Sequence, residues 1–318
     1  AKNFNRHKEI IAQLLQYGHA YKCYSSKEEL EQMRQDCEKK GIKPKYDGTW
    51  RPEEGKTLPP VPEGVTPVIR FKNPLDGNVT WEDQVKGQIS VSNEELDDLI
   101  LQRSDGSPTY NLSVVVDDAD MGITHVIRGD DHINNTPRQI NIYKACGFDI
   151  PSFAHLSMIH GEDGQKLSKR HGAASVTEYR ELGYLPEAVN NYLARLGWSH
   201  GDAEIFSLDE LCELFSLKSI TSSPSQFDIK KLQWLNNHYL KQKTFEEIEV
   251  LLTPQFAKRF SDRKQLLGIF DLYKDRCNSL RDFEVNAEKV LTKPENISHE
   301  LIEKYISDVS VNRLQNLR

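Results

Sequence analysis

The stretch ITHVIRGDDHINNTPRQINIYKACGFDIPSFAHLSMI, residues 123–159, decides the fold class. Its two apolar runs, Ile123 to Arg128 and Phe153 to Ile159, predict buried strands. The helix expected between them carries the usual start and stop residues, with a cap, a first-turn proline, a capping-box partner and a terminal glycine: Thr136, Pro137, Gln139 and Gly147. A strand, a helix and a strand in this order predict a right-handed parallel crossover, the unit of doubly wound α/β sheets.

Charged residues follow the predicted strands, where ligands bind in sheets of this kind. Tyr110 to Val116 is also predicted to be a buried strand, and it runs into Asp117, Asp118 and Asp120. Such a carboxylate cluster can hold Mg²⁺, although acidic residues at a strand end more often only meet solvent. After the next strand, Arg128 could bind a carboxylate through two hydrogen bonds, or it could belong to an exposed, ion-paired loop.

The rest of the sequence predicts an insertion and a helical region. Apolar spacing predicts an N-terminal helix that ends near Gly18. Residues 44–67 are rich in proline and glycine, and short β-like runs follow at 68–71 and 85–91, so this block is expected to be an insertion. A capping box at Ser26/Glu29 predicts a polar helix that ends before Gly41. From Gly172 onward the spacing is helical, with capping boxes at Ser207/Glu210 and Thr244/Glu247 and further helices at 186–196, 227–240 and 262–277. The prediction is half of an α/β domain, interrupted by an insertion and followed by an all-α region.

The composition excludes several classes of protein. The 318 residues include 41 Lys and Arg against 48 Asp and Glu, a net charge of −7, so a polybasic nucleic-acid arm is not the main feature. No apolar run reaches the roughly 18 residues that a membrane span needs. Five scattered cysteines without a CxxC pair indicate a reducing cytoplasm. The opening AKNF is neither a signal peptide nor an initiator methionine, which indicates methionine removal or a start inside a larger protein.

A basic segment follows the third predicted strand. It reads GEDGQKLSKRHG, residues 161–172, and has four cationic or potentially cationic side chains within six residues between flanking glycines. A positive loop at the carboxyl edge of a parallel sheet suits polyphosphate, because lysine ammonium groups can stabilise oxygens that gain charge in a transition state. Basic loops are also common on protein surfaces, so composition alone does not decide between a polyphosphate site and an ordinary surface loop.

The spacing within that segment resembles a known signature. Lys166 to Arg170, KLSKR, is similar to the KMSKS-type signature of class I aminoacyl-tRNA synthetases, and its context resembles bacterial glutamyl-tRNA synthetases. Further stretches resemble that family in the expected order: SDGSPTYN at 104–111, 114–120, THVIRG at 124–129, 132–139 and LPEA at 185–188. The resemblance covers essentially the whole chain, and several ordered motifs make it specific.

The resemblance implies a reaction, and roles for residues at matching positions. ATP and glutamate would form glutamyl-adenylate, and glutamate would then pass to tRNA(Glu), with Mg²⁺ accompanying ATP. The implied catalytic residues are Lys166, Ser168, Lys169 and Arg170. The implied ATP-binding residues are Asp131, His132, Met158, Ile159 and Lys169. Tyr110 and Arg128 would bind glutamate, and the residues assigned to tRNA are Asp117, Asp118 and Asp120. The family also implies a monomer.

The same resemblance divides the chain into regions of a catalytic and tRNA-binding enzyme. The implied regions are a partial Rossmann-type catalytic domain, its second half, at 1–20 and 104–165, an acceptor-end-binding insertion at 21–103, a stem-contact region at 166–243 and the first part of a helical anticodon-binding domain at 244–318. The family's HIGH-like tetrapeptide does not occur in the sequence. We therefore expect a fragment with half an active site, weakly active or inactive by itself.

The zinc site of some relatives is also incomplete. They place Cys-x-Cys and Tyr-x-x-x-Cys-x-His in the insertion, whereas this chain keeps Cys23 and Tyr46 but has Ser25, Trp50 and Pro52 at the other positions. No structural zinc, and no other metal ligand set, is predicted.

The sequence is compatible with two other hypotheses for the function. A shortened relative that glutamylates a modified tRNA base shares the catalytic motifs, although the helices predicted from Thr244 to the end argue against it. A non-catalytic tRNA-binding remnant is compatible with the missing signature, but the acidic charge makes loose, charge-driven RNA binding less favourable.

Overall fold

The computed structural model of the chain describes residues 3–167, 175–292 and 304. The chain divides into two compact units, one made of 1–159 with 215–225 and the other of 160–214 with 226–318. Among the described residues, no helix is both long enough and apolar enough to cross a membrane. The four functional regions expected from the resemblance stay a prediction.

The first unit contains four helices and seven strands in the part of it that is described. The helices are α1 (Phe4–Gln16), α2 (Lys27–Lys39), α3 (Tyr110–Asp120) and α4 (Thr136–Cys146). The strands are β1 (Ala20–Cys23), β2 (Val68–Phe71), β3 (Asn78–Asp83), β4 (Gly87–Ser92), β5 (Ile100–Gln102), β6 (His125–Gly129) and β7 (Ser152–Leu156). Two-residue strands β8 (Ile159–His160) and β9 (Ser225–Gln226) lie where the chain passes between the units.

A four-stranded mixed sheet organises the first unit, with strand order β4-β3-β7-β6. β6 and β7 are parallel and paired from His125↔Ser152 to Gly129↔Leu156, with α4 between them in the chain. The parallel crossover and the α/β class are confirmed. Helix α4 ends at Gly147, whose φ of +68° is a left-handed conformation that glycine adopts without steric cost.

The start of α4 differs in detail from the prediction. Thr136 is the first helical residue and Asn135 precedes it as the cap residue, without a side-chain capping hydrogen bond. The Thr136 hydroxyl is unavailable for capping because it accepts a hydrogen bond from Arg128 Nη2 at 2.9 Å and contacts His155 Nε2 at 3.1 Å. Thr136, expected to cap the helix, therefore bonds side chains of β6 and β7 instead. The expected capping box is wrong, because the Gln139 side chain bonds Arg128 and Asn111.

The strand predicted for Tyr110 to Val116 is wrong, because this segment is helix α3. Leu112, Val115 and Val116 are fully buried, and their spacing of three and four residues follows one face of a helix. Asp117, Asp118 and Asp120 therefore lie in the last turns of α3 and not beyond a strand.

The insertion contributes a strand that the sequence reasoning missed. β3 alternates exposed and buried residues, with Val79, Trp81 and Asp83 facing inward, and it pairs with β4 antiparallel and with β7 in parallel. A separate antiparallel sheet has the order β1-β2-β5. The β-like runs predicted at 68–71 and 85–91 correspond to β2 and approximately to β4.

The second unit is helical over nearly all of the part that is described. Its helices are α5 (Val176–Glu181), α6 (Pro186–Arg195), α7 (Leu208–Leu214), α8 (Ile229–Gln242), α9 (Phe245–Glu249), α10 (Pro254–Arg259), α11 (Arg263–Tyr273) and α12 (Leu280–Leu291). The capping box predicted at Thr244 and Glu247 forms, and Phe270 packs edge-on to Phe283 with ring centres 5.4 Å apart. The predicted all-α region is confirmed.

Candidate active site

Arg128 lies near the carboxyl end of β6, and hydrogen bonds fix its guanidinium from two sides. Nε donates to His155 Nε2 at 3.2 Å. Nη2 donates to Thr136 Oγ1 and to Gln139 Oε1, each at 2.9 Å. Gln139 in turn donates to Asn111 Oδ1 at 3.0 Å, which connects this arginine to α3. These hydrogen bonds use Nε and Nη2, and Nη1 takes no part in them.

The structure brings three of the predicted site residues together. Tyr110, the first residue of α3, interacts electrostatically with Arg128, and its ring centre lies 6.0 Å from that of His132. Burial lowers the pKa of Arg128, while the neighbouring Tyr110 and Asp118 act in the opposite direction. Tyr110 is 52% exposed, so this group of side chains is open to a ligand.

The residues predicted to bind ATP lie on two neighbouring segments of the first unit. Asp131 and His132 belong to the 3-10 helix Asp130–Asn135 that follows β6, and Met158 and Ile159 follow β7. Because β6 and β7 are paired and parallel, both segments leave the same edge of the sheet. A Cβ at Gly129 would lie 2.7 Å from Asp131 Oδ1, so a larger residue there would displace the Asp131 side chain.

The three aspartates assigned to tRNA have separate environments. Asp117 Oδ1 lies 2.9 Å from Asn3 Nδ2 and 3.0 Å from His7 Nε2. Asp120 forms an ion pair with Arg6 at 3.0 Å, which attaches the end of α3 to α1.

Asp118 instead turns towards the interior. Burial raises its pKa, and it hydrogen-bonds Tyr143, whose own pKa burial raises. No cluster of three or more potential metal-binding side chains occurs in the described part of the chain. The three carboxylates do not converge as a magnesium site requires.

The predicted catalytic loop is described only at its start. Lys166 follows a tight turn in which Gly161 N–H donates to the Gln165 carbonyl at 2.8 Å, and Lys166 pairs with His160 through an isolated bridge. Ser168, Lys169 and Arg170 lie outside the described residues.

Cys23 and Tyr46, the two residues of the insertion that match the zinc-site pattern, are packed among aromatic and cationic side chains. Cys23 is buried, and its thiol donates to Tyr46 Oη at 3.4 Å. The Arg70 guanidinium lies over the Tyr46 ring at 3.9 Å and also contacts Cys23 Sγ. Trp50 N–H donates to the same Tyr46 oxygen.

Sequence reasoning missed three residues that support the site: Asp83, Lys86 and His155. Asp83 and His155 are completely buried and joined by a hydrogen bond. Lys86 Nζ donates to Asp130 at 3.1 Å and to Ser157 Oγ at 2.6 Å, so it links the two segments that carry the predicted ATP-binding residues. One signal was available: an aspartate at an inward position of an alternating strand is unusual unless its charge has partners.

The model of a family described as tRNA synthetases class I (E and Q), catalytic domain, matches residues 1–234. The chain belongs to this family.

Similar proteins in the class I synthetase family include two curated relatives named glutamate–tRNA ligase. The one from Methylobacillus flagellatus is 56% identical over 309 residues, which cover 96% of this chain and 66% of the relative. The one from Bordetella avium is 58% identical over 288 residues, 90% of this chain and 62% of the relative. The chain thus spans slightly less than two thirds of the length of these relatives.

A solved structure of the same kind has a similar fold over the whole chain. It is described as a glutamate tRNA ligase from Elizabethkingia meningosepticum in complex with its amino acid. It has a TM-score of 0.82 and 32% sequence identity, and the match covers 99% of this chain and 69% of that chain. A second match, the glutamate-tRNA synthetase of Elizabethkingia anophelis, has a TM-score of 0.81.

Proposed function

We propose that the chain is part of an enzyme that activates glutamate with ATP and transfers it to tRNA(Glu). In the first step a glutamate carboxylate oxygen attacks the α-phosphorus of ATP, which forms glutamyl-adenylate and releases pyrophosphate. In the second step a hydroxyl of the terminal adenosine takes the glutamyl group, and AMP leaves. The names of the two curated relatives support this reaction for the chain.

One observation carries the proposal: hydrogen bonds hold the Arg128 guanidinium near the carboxyl end of β6, and the exposed Tyr110 side chain interacts with it. His155, Thr136 and Gln139 occupy Nε and Nη2. A carboxylate of glutamate would bind at Nη1, beside the Tyr110 side chain. A fixed guanidinium reduces the entropy lost on binding and positions the amino acid for attack.

The nucleotide side of the proposal uses the segments that follow β6 and β7. Met158 and Ile159 would bracket the adenine, with Asp131 and His132 beside it. The phosphates would be stabilised by the side chains of the basic loop: Lys166, Ser168, Lys169 and Arg170. Positioning and charge neutralisation account for the chemistry, because phosphoryl chemistry needs little covalent help from protein.

The remaining parts of the proposal concern tRNA, metal, assembly and location. Asp117, Asp118 and Asp120 are kept as tRNA-binding residues, and the side chains of Asp117 and Asp120 are 39% and 33% exposed. Mg²⁺ would enter with ATP, since these three carboxylates do not form a site for it. The protein is proposed to act in the cytoplasm as a monomer and without a structural zinc ion.

The test is ATP–pyrophosphate exchange by the protein as its gene encodes it, with tRNA(Glu) present. Glutamate should support exchange, whereas glutamine and aspartate should not. Radiolabelled glutamate should be transferred to tRNA(Glu), and tRNA that lacks the terminal adenosine should accept none. Transfer to the shortened tRNA would indicate glutamylation of a base. Binding of tRNA without any exchange would instead favour a non-catalytic remnant.

A further inference from the structure

Asp83 connects the insertion to the candidate glutamate site, because it hydrogen-bonds His155, which in turn contacts Arg128. This residue ends β3 and pairs in parallel register with Phe153 of β7, two residues before His155. Its Oδ1 accepts three backbone N–H groups, from Val85 at 3.1 Å, Lys86 at 3.0 Å and His155 at 3.1 Å. Its Oδ2 lies 2.5 Å from His155 Nδ1.

The Asp83 carboxylate is buried in the core in its ionised form. Both the Asp83 and His155 side chains are 0% exposed. Burial alone would raise the pKa of Asp83, but the hydrogen bonds from His155 and from the backbone N–H groups lower it overall. A buried anion with this many donors can only accept hydrogen bonds, so His155 Nδ1 must carry a proton.

That proton determines what the other imidazole nitrogen can do. With Nδ1 protonated and the ring neutral, Nε2 has a lone pair, and Arg128 Nε donates to it at 3.2 Å. A proton on Nε2 would point at the Arg128 N–H, which places donor against donor. Thr136 Oγ1 also lies 3.1 Å from Nε2, but with the proton on Nε2 the Nδ1 lone pair would face the Asp83 carboxylate, so the contacts of His155 with Asp83 and Arg128 both form only in the Nδ1–H tautomer.

We propose that Asp83 and His155 are positioning residues that set the affinity for glutamate by fixing the Arg128 guanidinium. The inference rests on the proposed function, because it takes Arg128 to bind the amino acid. Neither residue touches glutamate itself. Asp83 fixes the tautomer, His155 presents the acceptor, and Arg128 is held next to Tyr110.

The variant Asp83→Asn tests the tautomer with almost no change of shape. Asn Oδ1 can still accept the three backbone N–H groups, but its amide N–H₂ faces His155 Nδ1 and turns it into an acceptor. His155 must then carry its proton on Nε2, against Arg128. The expected result is a rise of about 10- to 100-fold in KM for glutamate, with KM for ATP unchanged.

Two substitutions of His155 separate positioning from packing. In His155→Gln the amide oxygen can reach the place of Nε2 and accept from Arg128, whereas His155→Asn can only donate to Asp83. Positioning predicts that the Gln variant has the lower KM for glutamate, although the Asn variant keeps the Asp83 contact and is the more stable. If KM for glutamate instead follows stability in both variants, the residues are structural only and the proposal is wrong.

The matched control for Asp83→Asn is Asp97→Asn. Asp97 is a part-buried aspartate that accepts a backbone N–H at 3.0 Å, and its replacement should leave KM for glutamate unchanged.

A spectroscopic readout is independent of activity. In ¹⁵N-histidine-labelled protein, the imidazole resonances missing from the His155→Gln spectrum should show the Nδ1–H tautomer, and Asp83→Asn should shift them to Nε2–H. An Nε2–H tautomer in the unmodified protein would overturn the inference even if glutamate is activated. If the protein failed to activate glutamate while the Nδ1–H tautomer was present, the proposed function would fail and the link to Arg128 would stand as geometry without its role in affinity.

Discussion

Lys86 Nζ lies 2.6 Å from Ser157 Oγ, although 71 residues separate the two in the sequence. The same ammonium donates to the Asp130 carboxylate at 3.1 Å and to the Ser222 carbonyl at 3.0 Å. A single lysine of the β3–β4 turn thus joins three segments of the first unit. Two of these segments, the turn after β6 and the turn after β7, carry the residues proposed to bind ATP.

Lys86→Met is therefore expected to weaken ATP binding. Methionine keeps the length of the side chain but removes every donor, so Asp130 and Ser157 lose a common partner and the two segments are held less firmly. We expect KM for ATP to rise about tenfold in the exchange assay. Lys144→Met, at an exposed position on α4, should have no such effect, and an unchanged KM for ATP in Lys86→Met would contradict the proposed role of this link.

Arg128→Lys is expected to impair glutamate binding more than ATP binding. A lysine ammonium cannot reproduce the planar set of donors that Arg128 directs at His155, Thr136 and Gln139. Loss of charge-assisted hydrogen bonds of this kind should raise KM for glutamate about 10- to 100-fold. Arg103→Lys, an exposed arginine bonded within its own turn, is the control. A selective rise in KM for ATP would argue against Arg128 as a glutamate-binding residue.

His155 should make stability depend on pH. Burial lowers its pKa, and Arg128 and His132 lower it further against the raising effect of Asp83. As pH falls below the ordinary value of 6.5, the unfolded chain takes up this proton before the folded one. The stabilisation is complete above that value and is lost as pH falls towards the folded-state pKa, by at most about 1.4 kcal/mol per pH unit.

Urea unfolding between about pH 7 and about pH 5 measures this effect. The free energy of unfolding of the unmodified protein should fall more steeply with decreasing pH than that of His155→Gln, which has no imidazole at this position. Parallel curves for the two proteins would show that His155 does not change its proton affinity on folding.

The buried ion pair of the insertion should contribute strongly to stability. Asp98 accepts from Arg51 Nη1 at 2.6 and 2.7 Å and from Tyr21 Oη at 2.6 Å, and the two charged side chains are 7% and 9% exposed. Asp98→Asn removes the buried anion and leaves Arg51 only the partly exposed Glu53, whose Oε1 lies 3.2 Å from its Nε, which should cost about 3–5 kcal/mol of unfolding free energy. Asp36→Asn, which removes an exposed ion pair on α2, should cost less than about 1 kcal/mol, and similar losses in both variants would contradict this ranking.

Gly183 should not tolerate a side chain. Its φ is +80°, and a Cβ would lie 2.7 Å from Arg281 N and 3.0 Å from Leu280 N at the start of α12. Gly201 has a φ of +55° and open space around it, so Gly201→Ala should cost only the backbone strain of about 1–2 kcal/mol. Gly183→Ala should cost about 1–3 kcal/mol more, because backbone atoms must move. Thermal unfolding of the two variants side by side gives the comparison, and equal losses would show that the loop adapts.

Much of the fold could be predicted because its signals are local. The glycine that ends α4, Gly147, and the capping box at Thr244 depend on backbone geometry and hydrogen bonds within a few residues, so the sequence displays them directly. Tyr110 to Val116 was misinterpreted because its β-branched valines favour strands, while the spacing of Leu112, Val115 and Val116 is helical. Periodicity was the better guide there, since a buried helix face overrides a weak residue preference.

The supporting residues of the candidate site could not be predicted in the same way. Asp83 and His155 are 72 residues apart, and only the parallel pairing of β3 with β7 brings them together. Their types carry no motif, and the resemblance to synthetases pointed to Arg128 without indicating what holds it. Partners of this kind are fixed by register between distant strands, which a single sequence does not display.

The parallel pairing of β3 with β7 also limits how this protein can be redesigned. A chimera that exchanged residues 21–103 with those of a relative would import the segment proposed to bind the tRNA acceptor end, but it would also replace β3, one of the two inner strands of the sheet that carries Arg128. Recombination points placed on either side of the β3–β4 hairpin, so that Asp83 and Lys86 stay with the host, would let the rest of that segment be exchanged while the contacts that hold Arg128 are kept.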